Sequence, residues 1–404
     1  MKKNVIKLMM ISGLLLTFLG CSDDFVNENP ESGFQNVNQF GEIAQSNPEI
    51  LNGFIAGVYA NMYLRGTGGT GGHDDFGHKA YDLFSDFLSS DMALSVSTYG
   101  WYRSEITEFQ APLDFTRGRN RMVWRFYYRL VRSANTVIAN LGGNDAIPAL
   151  DSNKYALGQA KALRAMSYFY LTQFFQKEYN ASEAILPLYI EATANNKPKA
   201  TAQEIYDQME KDLTDAVSLL NGFNRTAKSE INQDVARMLF AYVLGAKGGR
   251  DGDVATLTQQ VINAGNHTML AQSELVASAG GVNGFDDVGS SSWMWGIDIT
   301  PTNGLGLVSW WGQVDAWSYS YAWAGDYKVI DKSLYDAIPA NDFRKGQFFG
   351  YAASGRYLQP LYKFRGSDGI GAAPRPISMD YVYMRIEEAY LLNAEAHARN
   401  NNDA

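Results

Sequence analysis

Gly158-Gln159-Ala160-Lys161-Ala162-Leu163-Arg164-Ala165-Met166-Ser167-Tyr168-Phe169-Tyr170-Leu171 is the stretch on which the fold turns. Ala160, Leu163, Ser167, Tyr168 and Leu171 recur at helical spacing, which predicts a helix over residues 155–176. On its N-terminal side, Val123, Phe126, Tyr127, Leu130, Ala134, Val137, Ile138 and Leu141 share one helical face that stops at Gly142-Gly143. On its C-terminal side, Thr201 and Glu204 have the spacing of a capping box. Ile205, Met209, Leu213, Val217 and Leu220 then run to a stop at Asn221-Gly222. Further helices are expected after the Asn47-Pro48 cap and over 81–94, 232–247, 253–265 and 380–400. Strands and helices do not alternate, which argues against a parallel-sheet enzyme. The expected fold is mostly α, a tetratricopeptide-like helical-repeat scaffold without a strict repeat period.

The chain has 404 residues, 46% hydrophobic and 19% charged, enough for one large core or two domains. Its first twenty residues read as a leader. Lys2, Lys3 and Lys7 precede an apolar run from Leu8 to Leu19, too short to span a bilayer and of the length of a signal-peptide core. Phe18-Leu19-Gly20-Cys21 resembles a lipobox, with Phe18 in place of the usual leucine. Cys21 is the only cysteine, so no internal disulfide can form, and lipidation gives the thiol a use. The expectation is a signal peptide over 1–20, lipid on Cys21 and a polar tether over 21–40. Loss of the three leader lysines takes the net charge from −9 to −12. So acidic a surface argues against nucleic acid as a partner.

From about 267 to 379 helical periodicity fades and Gly, Ser, Trp and Tyr take over. Trp293, Trp295, Trp310, Trp311, Trp317, Tyr319, Tyr321, Trp323 and Tyr327 crowd into this loop-rich half. An irregular segment of that length in a compact protein is usually functional. The division expected is a helical region over 41–266 and an aromatic, irregular C-terminal region over 267–404.

Taken in order, the helices resemble the SusD/RagB family. The central signature is residues 158–165 with Tyr168-Phe169-Tyr170-Leu171 and Leu186-Pro187-Leu188. Before it stands Trp124 to Leu141 with Ser133-Ala134-Asn135; after it stands Asp212-Leu213-Thr214-Asp215-Ala216. Leu334-Tyr335-Asp336 with Asn341-Asp342-Phe343-Arg344 matches a later motif, Phe343 replacing its proline. Arg385-Ile386-Glu387-Glu388, with Ala394-Glu395-Ala396, matches the family's Arg-x-x-Glu helix, beyond which members usually continue, so the chain is expected to be truncated at Ala404. The resemblance implies an outer-membrane lipoprotein that sits as a lid on a TonB-dependent barrel. It would capture an oligosaccharide, or in some members a peptide. Ser22-Asp23-Asp24 resembles the acidic signal that sends such lipoproteins to the outer face of the cell.

Sugar binding needs flat apolar faces for C–H-rich pyranose faces and hydrogen-bonding groups for hydroxyls, and Tyr and Trp supply both. The candidate ligand-binding residues are Tyr99 and Trp101, on a loop after the 81–94 helix, and Trp310, Trp311, Trp317, Tyr319 and Trp323. At least half of the aromatics in 293–327 are expected in the core, because Trp is highly buried on average. Arg121, Arg125, Arg129 and Arg132 form a stripe expected to be a solvated face paired with carboxylates. His73-Asp74-Asp75 with His78 lacks further ligands at metal spacing. Gly66 to Gly72 lacks the strand and lysine of a phosphate loop. Neither metal nor cofactor is expected. A secreted glycoside hydrolase or lyase is the competing reading. A glycosidase would use two carboxylates across a cleft, but no pair is marked and no nucleophile elbow or His-Glu-x-x-His occurs. The expectation is a non-catalytic binding protein.

Overall fold

The computed structural model describes residues 48–192, 195–277, 284–366, 374 and 376–400. The leader, Cys21 and the tether lie outside the described residues.

Eight long helices are present among them: α1 (Pro48–Asn61), α2 (His78–Leu88), α3 (Gly118–Asn140), α4 (Asp151–Phe175), α5 (Ala202–Leu219), α6 (Gln233–Lys247), α7 (Asp251–Ala264) and α8 (Ile386–Arg399). From α3 to α7 most helices pack on the next in sequence, the pairing expected of a tetratricopeptide-like scaffold, and α1 lies across α3 and α4. The caps follow the sequence. Thr201 Oγ1 accepts from Glu204 N at 3.2 Å, and Glu204 Oε2 accepts from Thr201 N at 2.8 Å. Helix α4 is buried over nearly its whole middle because its small residues let neighbours close in. At Gly158 a Cβ would lie 2.8 Å from Leu220 Cγ and 3.1 Å from Leu219 Cβ, so the signature glycine is a packing requirement.

At the centre of this layer three of the quoted motifs meet on Arg164. Its guanidinium donates to Asp212 Oδ2 (Nε, 2.8 Å) and Oδ1 (2.6 Å), to Asn135 Oδ1 (2.8 Å), to Asn144 Oδ1 (2.8 Å) and to the Ile190 carbonyl (3.0 Å). Arg164 and Asp212 are both fully buried. A buried charge pair persists only when its remaining donors and acceptors are met, and here all are. In the Arg-x-x-Glu motif the backbone makes the contact: Arg385 N donates to Glu388 Oε1 at 3.1 Å, and Tyr242 of α6 donates to the other oxygen.

Three two-stranded antiparallel pairs complete the architecture. They are β1 (Met92–Ser97) with β5 (Asp326–Ile330), β2 (Ala184–Pro187) with β3 (Lys199–Thr201), and β4 (Trp293–Ile297) with β6 (Tyr381–Arg385). Two expected helices are corrected by these pairs. The 81–94 helix ends at Leu88, because Met92-Ala93-Leu94 finds a partner strand in β5. The 380–400 helix starts only at Ile386, because the aromatic and β-branched run Tyr381–Arg385 pairs with β4. Both partners lie in the loop-rich half. The helical and aromatic regions share one continuous core: Val261, Met294, Trp295, Trp311 and Tyr381 belong to the same buried cluster as Leu163 and Leu213.

Candidate functional site

Elementary hydrogen-bonding needs shape the loop between α1 and α2. Asp75 gathers Gly68 N (2.7 Å), Thr70 N (2.9 Å) and Thr70 Oγ1 (2.9 Å), folding the glycine-rich segment around its carboxylate. Asp74 is fully buried and held by Arg119, whose Nε lies 2.7 Å from Oδ2. Burial raises the Asp74 carboxyl above its ordinary value, against the pull of that guanidinium. Arg119 also grips Glu105, Nη1 to Oε1 at 2.9 Å, and so ties the start of α3 to the turn after Tyr102. His78 points away into the core, Nδ1 to Tyr127 Oη at 3.0 Å. The four residues of the His-Asp-Asp…His run therefore diverge. Among the described residues no group of three or more His, Cys, Asp or Glu is placed to hold a metal ion.

What this loop presents instead is His73. Its ring stacks on Trp101, centroids 5.1 Å apart with 2° between planes, and meets Tyr321 edge-on at 5.7 Å. Tyr321 Oη is hydrogen-bonded to His73 Nδ1. Tyr99 meets the edge of Tyr321 at 5.3 Å and is 55% exposed, while Trp101 and His73 are half-buried. Strand pairing assembles the group. β1 and β5 run antiparallel with Ser97 opposite Asp326, and Thr98 N donates to the Gly325 carbonyl at 3.0 Å. That register sets Tyr99, just after β1, beside Tyr321, just before β5. The Tyr99 amide is fixed by Asp326 Oδ1 at 2.8 Å.

Buried polar groups support the platform from below. Gln313 Nε2 donates to the His73 carbonyl at 2.8 Å, and Lys328 Nζ donates to Gln313 Oε1 at 2.8 Å. Lys328 is 1% exposed, lies over the Tyr102 ring at 5.6 Å, and is pushed down by burial to about 7.

The other expected site residues fall elsewhere. Trp310 and Trp311 require correction, because both are core residues. Trp311 is fully buried with Nε1 donating to the Asp380 carbonyl at 3.0 Å. Trp310 is 7% exposed and packed edge-on against Trp311 and Phe364. Trp293 and Trp295 are likewise buried, their indoles donating to Gly284 and Ser229 carbonyls. Trp317 is half-buried, with Nε1 bonded to the Leu361 carbonyl at 2.6 Å and the Arg365 guanidinium 4.5 Å above its ring. Tyr319 and Trp323 are half-buried neighbours, 6.4 Å apart. The arginine stripe also departs from expectation. Arg121, Arg125, Arg129 and Arg132 are exposed, but among the described residues none forms an ion pair; Arg117 and Arg119 do. Sequence reasoning weighed His73 only as a metal ligand and Tyr321 only as one aromatic of many; no local signal marks either as part of this group.

A family model described as starch-binding associating with outer membrane, SusD-like, matches residues 34–239, just over half of the chain. The chain belongs to the SusD-like family. Among solved structures, a SusD-like carbohydrate-binding protein from Bacteroides vulgatus is similar at 22% identity and TM-score 0.72, covering 88% of this chain and 72% of that one. A laminarin-binding SusD-like protein is similar at 18% identity and TM-score 0.61, covering 86% and 79%. So is surface glycan-binding protein A from Bacteroides thetaiotaomicron, in complex with laminarihexaose, at 14% identity and TM-score 0.60, covering 88% and 80%. At these identities the likeness is one of fold. Among curated protein sequences none matches. No described helix of this SusD-like chain is long and apolar enough to cross a membrane.

Proposed function

We propose that this SusD-like chain is a non-catalytic glycan-binding lipoprotein, anchored through Cys21 to the outer membrane and facing outward. There it captures oligosaccharide for a TonB-dependent barrel. The observation that carries the reading is the group of exposed Tyr99 with half-buried Trp101 and His73. Parallel stacking of His73 on Trp101 stiffens the indole, so a pyranose meets a pre-formed surface at little entropic cost. The laminarin and laminarihexaose named for two structural relatives support a glycan as ligand. The nearby carboxylates Asp74, Asp75, Glu105 and Asp326 hold loops in place through Arg119 and backbone amides.

The test is affinity electrophoresis of the purified protein through gels containing laminarin, starch or other polysaccharides, with each polymer also assayed for cleavage. Retardation by at least one polymer without product release is the expected result. Turnover that disappears on substituting one Asp or Glu would instead establish the glycosidase or lyase.

A further inference from the structure

A second concave site lies on the helical layer, built from residues that take no part in the Trp101 platform. It is a cleft of about 310 Å³ between the middle of α3 and the segment that follows β2. Trp124, Tyr128 and Arg132 line it from α3; Tyr189, Glu191 and Asn195 line it from the other side. The segment is fixed: Asn135 Nδ2 donates to the Tyr189 and Glu191 carbonyls (3.0 and 3.1 Å), and Tyr128 Oη donates to the Pro187 carbonyl at 2.8 Å. The rings are set at angles to one another, Trp124 to Tyr128 at 4.7 Å and 45°, and Tyr128 to Tyr189 at 5.8 Å and 88°. Lys197 lies over the Tyr189 ring at 5.8 Å and is not part of the lining.

Three polar groups at this aromatic cleft are unspent. Among the described residues, the Trp124 indole N–H, the Arg132 guanidinium and the Glu191 carboxylate make no side-chain hydrogen bond or ion pair, not even with each other. Each constrains the occupant. A carboxylate at the edge disfavours an anion, and a guanidinium disfavours a cation. A neutral ring with adjacent hydroxyls satisfies both, donating to Glu191 and accepting from Arg132, while its C–H face lies on an aromatic ring. At about 310 Å³ the cleft lies at the small end of ligand pockets, a size suited to one sugar ring.

We propose that this cleft is a second binding site, taking a single neutral pyranose residue stacked on Trp124 or Tyr128 and held at its hydroxyl edge by Arg132 and Glu191. It is independent of the Trp101 platform and can stand or fall separately.

The experiment is saturation-transfer NMR on the full chain carrying Trp101→Ala, which removes the platform's indole. The probes are the methyl glycosides of glucose, galactose and mannose, with methyl glucuronide and N-acetyltyrosinamide for comparison. At least one neutral glycoside should receive saturation. Adding Trp124→Ala should weaken its binding about tenfold, as for an aromatic anchor. Adding Arg132→Ala, an exposed change that leaves folding intact, should weaken it as well. Silence from all three neutral glycosides, or transfer untouched by both substitutions, overturns the proposal. Stronger transfer to the glucuronide would make this an anion site, and stronger transfer to the tyrosine amide a peptide site; either also overturns it.

Discussion

His73 and Trp101 lie ring on ring, parallel to within 2°, although one ends a glycine-rich loop and the other follows a strand. Asp75 shapes the first loop and the β1–β5 pair fixes the second, so the stacked pair is set by backbone geometry. Beneath it, Gln313 donates to the His73 carbonyl and accepts from the buried Lys328 ammonium.

Replacing Trp101 with alanine should weaken binding of whichever polysaccharide retards the wild type by about tenfold, about 1.4 kcal/mol. The half-buried indole packs at the margin of the core, so the melting temperature should also fall, but by less than for a fully buried tryptophan. Isothermal titration and a thermal melt measure the two effects. Unchanged affinity would remove Trp101 from the site.

Trp311→Ala should do the reverse. Its side chain is fully buried, so truncation is expected to cost about 3–5 kcal/mol of stability. Protein that remains folded should bind glycan as the wild type does. Urea denaturation with binding assayed below the transition separates the two, and a loss of affinity without a loss of stability would place Trp311 in the site after all.

Asp212→Ala leaves the Arg164 guanidinium buried without its carboxylate and should cost about 3–5 kcal/mol. A double replacement, Arg164→Met with Asp212→Leu, should recover only part of this. It removes the charges but strands Asn135 Oδ1 and Asn144 Oδ1, which Arg164 satisfies. Full recovery in a double-mutant cycle of denaturation midpoints would show that those amides find other partners.

Lys328 gives a pH dependence of defined sign. Burial brings its ammonium from the ordinary 10.5 to about 7 in the folded protein. Between those values the unfolded chain holds a proton that the folded one lacks, so this group makes stability rise with pH through that window. The contribution is fully present only above the unfolded value and is lost as pH falls through the folded one. Lys328→Met should flatten the rise. Denaturation midpoints at about pH 7 and about pH 10 check it, and an identical wild-type-to-variant difference at both would contradict it.

Much of the helical layer was legible before any coordinates. Leu213 and Val123 sit on faces that periodicity alone identifies, and the Thr201–Glu204 box forms as its spacing requires. The recurrence of Gly158, Arg164, Asn135 and Asp212 in separate motifs has a plain cause, since close packing and one buried guanidinium need all of them. The strands at 92–97 and 381–385 were not legible, because each is a strand only through a partner more than 80 residues away.

The sequence by itself determined the local features: the lipobox-like leader, where long helices run, which residues cap them, and that the second half is rich in indole and phenol rings. Each depends on neighbours a few positions apart. Tertiary structure alone decided which rings face solvent. Trp311 and Trp101 are the same residue type, and nothing within a few positions of either distinguishes them. One fills the core beneath β6, and the other is half-buried at the edge of the core against His73. Burial is a property of what packs across the chain, and here the packing is set by strand pairs that bring β1 to β5 and β4 to β6.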